Sequence, residues 1–163
     1  MNIKIIDALV IHMIDDKLAL LGITLPIPPK PAGSYIPVIR TGSLVFVSGQ
    51  IPIKDGNVQF KGQVPKSISV EDAQKAARLC MINILAQIKA EIGTLDKISR
   101  IVRVSGFVNS SPEFYEQPKI INIASDLLFE IFGEKGKHTR IAIGVASLPL
   151  NSAVEIDLVA EII

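Results

Sequence analysis

The 163-residue chain predicts an α+β fold, with a mixed β-sheet carrying two helices on one face. Three observations point there. Strand-like alternation and helix-like periodicity follow one another in the order ββ-α-β-α-ββ. Hydrophobic residues make up 48% of the chain against 20% charged, with only six Phe, two Tyr and no Trp, so the core is aliphatic. The last predicted strand carries apolar residues on both faces, so the sheet has a second face that needs cover. The length suits one domain spanning 1–163, of which 1–32 form an N-terminal extension and Pro-rich arm.

Within residues 3–21, Ile6, Leu9, Val10, Met13, Leu20 and Leu21 recur at helical spacing. Four of the ten prolines then fall between Leu25 and Gly33, which reads as an extended arm. Ile36–Arg40 and Leu44–Ser48 flank Thr41-Gly42-Ser43 and predict a hairpin, with Val45, Val47 and Gly49 on one face. Asp55-Gly56 is a turn signal, and 57–62 reads as a small excursion off the sheet. Ser69-Val-Glu-Asp72 resembles a capping box and opens a helix. Ala73, Ala77, Cys80, Ile84 and Ile88 continue it, and Gly93 closes it. Ile98–Val108 predicts a core strand. A second helix runs from near Pro112 or Pro118 to Phe132 and stops at Gly133. Arg140–Val145 and Ala153–Ile162 predict two further strands, joined by a turn at Leu148–Asn151.

A net charge of +1 provides no global field for nucleic acid or an anionic membrane. Cys80 is the sole cysteine, so no intramolecular disulfide forms, and it reads as a buried thiol. His12 and His138 with one distant thiol do not make a metal cluster. The aliphatic run from Ile3 to Ile14 is interrupted by charge, lacks a cleavage-site pattern and is too short to span a bilayer, so the expected location is cytoplasmic. Gly133–Thr139 lacks phosphate-loop spacing and follows a helix. Its cations Lys135, Lys137 and His138, with Arg140, read as a charged loop rather than a nucleic-acid surface.

Arg140 is the best candidate for chemistry. It stands at the mouth of the apolar strand Ile141–Val145, and a guanidinium offers a planar fork for a carboxylate at any working pH. A hairpin of the last two strands would bring Glu155 beside it. The sequence physics leaves two readings open, a structural ion pair with Glu155 or a carboxylate-binding site.

Several segments bear on this choice: Gly33-Ser-Tyr35, Val47-Ser-Gly-Gln-Ile-Pro52, Thr139-Arg140, Val145-Ala-Ser-Leu-Pro149 and Val154-Glu-Ile156. Together they resemble the reactive-intermediate deaminase family, also called the YjgF or L-PSP endoribonuclease family, from about Gly33 to the C-terminus. The resemblance implies a chorismate-mutase-like fold, a homotrimer, and clefts between subunits that bind a small 2-imino or 2-keto acid. It implies hydrolysis of imines or enamines to 2-keto acids and ammonia with no metal or organic cofactor. Arg140 matches the family's carboxylate-gripping Arg, Glu155 the acid that orients or activates water, and Tyr35 and Ser48 residues of the cleft. Asn122 corresponds to a helix Asn that lines it. The chain departs from the pattern at Ala142, where active relatives often carry Cys, in the longer 109–118 segment, and in the N-terminal extension. A non-catalytic carboxylate-binding trimer is the alternative function, and a ribonuclease the third.

Overall fold

The computed structural model describes residues 13–28, 30, 31 and 33–163. Ile6, Leu9, Val10 and His12 lie outside them. The predicted first helix is seen as α1 (Ile14–Leu20), its opening amide donating to Asp96 Oδ1 at 3.0 Å. The Pro-rich arm has no regular structure over its described residues, as the prolines require.

The predicted hairpin forms from β1 (Val38–Thr41) and β2 (Leu44–Gln50), turning at Gly42, whose φ is 56°. Val45 and Val47 face the core and Phe46 faces out. The excursion after Pro52 is a two-stranded ribbon, β3 (Ile53–Lys54) and β4 (Asn57–Val58). Asp55 and Gly56 both take positive φ at its turn, the pattern that favours Asp-Gly there.

Helix α2 (Val70–Ile92) is capped by Ser69, whose Oγ accepts from the Asp72 amide at 3.0 Å, and it ends at Gly93. Strand β5 (Ile98–Asn109) follows, then α3 (Gln117–Phe132), with Pro118 in its first turn. The strands β6 (Thr139–Val145) and β7 (Val154–Ile162) complete the chain. The main sheet runs β1-β2-β7-β5-β6, antiparallel except for the parallel β5–β6 pair. Helix α2 lies over β2 and β7, and α3 over β5 and β6, so both cover one face as predicted. Gly106 on β5 permits the close approach of α3, since a side chain there would run into Ile121. No described helix is long and apolar enough to cross a membrane.

The expected hairpin of the last two strands does not form. β7 pairs with β2 and β5, and β6 occupies the sheet edge beyond β5. The physical reason is the β5-α3-β6 unit, because a helical crossover returns the chain parallel to the strand it left. Along β7, Val154, Ile156, Leu158, Ala160 and Ile162 are buried under the helices, while Glu155, Asp157, Val159 and Glu161 face away from them.

Candidate functional site

The expected site residues fall into two groups within one chain. Arg140 is half-buried on β6 in register with Val104, so its side chain is on the helix-covered side and meets α3. Its Nη1 donates to Asn122 Oδ1 at 2.8 Å and to Ser125 Oγ at 3.1 Å. These two acceptors are three residues apart on α3, one turn, so they present side by side to the strand. Ser125 Oγ in turn lies 3.0 Å from His138 Nε2, and His138 Nδ1 lies 2.7 Å from the Gly136 carbonyl.

The ion pairs among the described residues are Lys75–Asp72, Lys89–Asp15, Lys119–Glu116 and Lys137–Glu134, and none includes Arg140. A guanidinium has five N–H donors. Nη1 is held by two neutral oxygens, while the edge formed by Nε and Nη2 has no hydrogen bond to any described residue. That edge has the side-on geometry that binds a carboxylate bidentately. Arg140 lines a groove that also contains Asp126, Phe129 and Lys137, whose ammonium sits 5.6 Å from the Phe129 ring centre.

Glu155 belongs to the second group. It pairs in register with Phe107, on the face away from the helices. A cavity of about 260 Å³ is lined by Glu155, Tyr35, Gly49, Gln87, Leu150 and the arm residue Pro31, among others. A bulge between Val47 and Gln50 of β2 shapes this end, with three steps on β2 facing two on β7. Gly49 leaves room for the Glu155 carboxylate where it lies, since a side chain at 49 would displace it. Burial pushes the Glu155 pKa up, and the nearby Asp157 charge adds to the rise. Ser48 is engaged with the backbone: its Oγ donates to the Ile36 carbonyl at 2.8 Å, which ties the Tyr35 segment to β2.

Arg140 and Glu155 are therefore not neighbours in one chain. One strand separates them, and their register positions on it, Val104 and Phe107, are three residues apart with opposite facing. That amounts to about 10 Å across the sheet and about 10 Å along it. The structural ion pair open to the sequence is thus absent within the chain. Ala142, two residues after Arg140, shares its face and presents no thiol. Cys80 is buried, with Sγ 3.6 Å from the Val154 carbonyl, and burial raises its pKa further from thiolate formation. The 109–118 segment walls a separate depression with Ser110, Phe114, Tyr115 and Gln117. Ser125 follows no period in the sequence, and His138 reads there as part of a charged loop and as no part of a metal cluster. Their role emerges when α3 is packed on β6.

Comparisons with known proteins bear on the family and the fold. Residues 15–162 match the family model described as "YjgF/chorismate_mutase-like, putative endoribonuclease". The crystal structure of Atu1372 from Agrobacterium tumefaciens, a protein described as of unknown function, is similar at 46% identity. That match covers 92% of each chain with a TM-score of 0.86. A 2-iminobutanoate/2-iminopropanoate deaminase from Dermatophagoides farinae is 31% identical over 86% of this chain and 94% of its own. The structure of E. coli TdcF with bound serine is 26% identical, covering 83% of this chain and 93% of that one with a TM-score of 0.59. The chain superposes much more closely on Atu1372 than on TdcF.

Proposed function

The chain belongs to the YjgF/chorismate mutase-like family, and on that premise we propose that it hydrolyses 2-imino acids to 2-keto acids and ammonia, in a cleft shared by two copies within a homotrimer. The observation that carries the proposal is the Nε/Nη2 edge of Arg140, which has no hydrogen bond to any described residue, with Nη1 anchored on Asn122 and Ser125. A guanidinium held by neutral partners keeps its full charge for a ligand carboxylate. The similar mite protein is named for this reaction, and TdcF was crystallised with serine, a molecule that bears an α-carboxylate.

In the proposed mechanism Arg140 fixes the substrate carboxylate, which holds the imine carbon in a near-attack pose. Glu155 of a second copy accepts a proton from water as the C–O bond forms. The same carboxyl gives that proton to the imine nitrogen, forming a carbinolamine, and then carries the carbinolamine hydroxyl proton to nitrogen as the C–N bond breaks, releasing ammonia and the keto acid. Water is the only co-reactant, and no oxidant or reductant is needed. The raised pKa of Glu155 suits a group that must both take and give the proton. Tyr35 and Leu150 supply an apolar wall for the substrate side chain, with Ser48 holding Tyr35's segment in place.

The test is hydrolysis of freshly generated 2-iminobutanoate, with 2-oxobutanoate binding measured in parallel. Arg140→Ala should lower kcat/KM about 100-fold, the weight of a charge-assisted bidentate contact. Arg140→Lys should recover only part, since it keeps the charge and loses the fork. Wild-type protein that binds 2-oxobutanoate yet gives no acceleration over solution would replace the enzyme reading with a non-catalytic carboxylate-binding one.

A further inference from the structure

We propose that Ser125 and His138 are positioning residues that hold the Arg140 guanidinium in its ligand-ready orientation; this rests on the reading that Arg140 binds a carboxylate. The direction of each hydrogen bond follows from the groups involved. Arginine only donates, so Ser125 Oγ accepts from Nη1 at 3.1 Å. A carbonyl only accepts, so His138 Nδ1 carries the proton that meets Gly136 O at 2.7 Å. In the neutral ring Nε2 is then an acceptor, and the single Ser125 hydroxyl proton points to it at 3.0 Å. With its proton committed to His138, Ser125 Oγ presents lone pairs to Arg140. Without His138 the hydroxyl is free to rotate, and the acceptor for Nη1 is no longer fixed.

The turn beneath this relay is closely packed. Gly136 presses against α3, where a side chain would collide with the Leu128 carbonyl. The turn that supplies the His138 acceptor is therefore clamped to the helix that carries Ser125 and Asn122. The loop closes on itself through α3, Gly136, His138 and Ser125, and Arg140 hangs from it. A free arginine side chain loses considerable rotamer freedom when it engages a ligand. The relay imposes that loss before the ligand arrives, which strengthens binding without any new ligand contact. It acts alike on ground state and transition state, because the carboxylate is gripped in both. The expected signature is a change in KM with kcat preserved.

The experiment measures 2-oxobutanoate Kd, and KM and kcat for 2-iminobutanoate, on variants with a folded circular-dichroism spectrum. Ser125→Ala should raise Kd and KM about ten-fold, as for a lost hydrogen bond to a charged group, with kcat within about two-fold of wild type. His138→Gln places an amide oxygen near the former Nε2 and should stay close to wild type. His138→Asn retains a donor for Gly136 but does not reach Ser125, and should match Ser125→Ala. The Ser125→Ala/His138→Asn double variant should be no worse than either single one, because the pair acts as one unit. Additive losses, or equal effects of Gln and Asn at 138, would sink the relay. Unchanged Kd in Ser125→Ala while Arg140→Ala abolishes binding would overturn the positioning role and leave the carboxylate reading standing. Unchanged Kd in Arg140→Ala would overturn that reading itself.

Discussion

At the residue scale, Glu155 has a testable thermodynamic consequence. Burial, and after it the Asp157 charge, raises its pKa in the folded protein. Between the ordinary glutamate value and the raised one, the folded state binds more proton than the unfolded chain. Stability is therefore greatest below that window and falls as pH rises through it. Glutamine mimics the protonated carboxyl at every pH. Glu155→Gln should thus melt above wild type at pH 7 to 8, with the difference closing as pH drops below about 4, near the unperturbed value. Differential scanning fluorimetry across that range checks it, and a Gln variant that melts lower at pH 8 would refute the assignment. Arg140 could be read from the sequence because a cation opening an apolar strand breaks the local pattern. Ser125 and His138 could not, since a serine on a helix flank follows no period and its partner is set by how α3 meets β6. Glu155 was legible as a site residue, but its surroundings depend on a bulge in β2 that alternation does not encode.

At the scale of elements, the best-read segments are those whose ends are written in local chemistry. Ser69 caps α2 and Gly93 releases it, so its limits follow from side-chain oxygen and backbone freedom alone. The strands β6 and β7 show the opposite case. A turn signal at Leu148–Asn151 suggested a hairpin, yet the β5-α3-β6 crossover decides the pairing and moves β6 to the sheet edge. The strand-helix-strand order was present in the sequence, and giving it precedence over the short turn would have placed β6 correctly. Helix α1 is held from outside: the Ile14 amide donates to Asp96 Oδ1, Thr94 Oγ1 to Asp96 Oδ2, and Lys89 pairs with Asp15. The Thr94 hydroxyl, and after it the Ile14 amide, lower the Asp96 pKa. The stabilisation is present above the ordinary aspartate value and is lost as pH falls through the lowered one. Asp96→Ala should cost about 1 kcal/mol, as for a lost cap. It should speed amide exchange through Ile14–Leu21 while leaving the core of β5 protected. Exchange that accelerates equally in β5 would mean Asp96 supports the core rather than α1.

The whole molecule presents a sheet face away from its helices on which Ile39, Phe46 and Ile143 are exposed. Phe107, Ile141 and Val159 lie half-buried among Arg103, Glu155 and Asp157 on the same face. The sequence already hinted at this in the mixed outer face of the last strand, and apolar area of this kind suits a subunit interface. The proposed trimer also resolves the separation of Arg140 from Glu155, since a second copy can bring one chain's Glu155 to another's Arg140. If each site takes its arginine from one copy and its carboxylate from the next, two inactive variants complement each other. Arg140→Ala and Glu155→Gln proteins should each be nearly inactive as homo-oligomers. Unfolded together in equal amounts and refolded, they assemble at random, and about one quarter of the sites receive both an intact arginine and an intact glutamate. Imine hydrolysis should then return to about one quarter of the wild-type rate per site, while the same proteins refolded separately and then mixed stay inactive until subunits exchange. Native mass spectrometry reports whether mixed oligomers have formed. Mixed oligomers without recovered activity would show that Arg140 and Glu155 do not share a site.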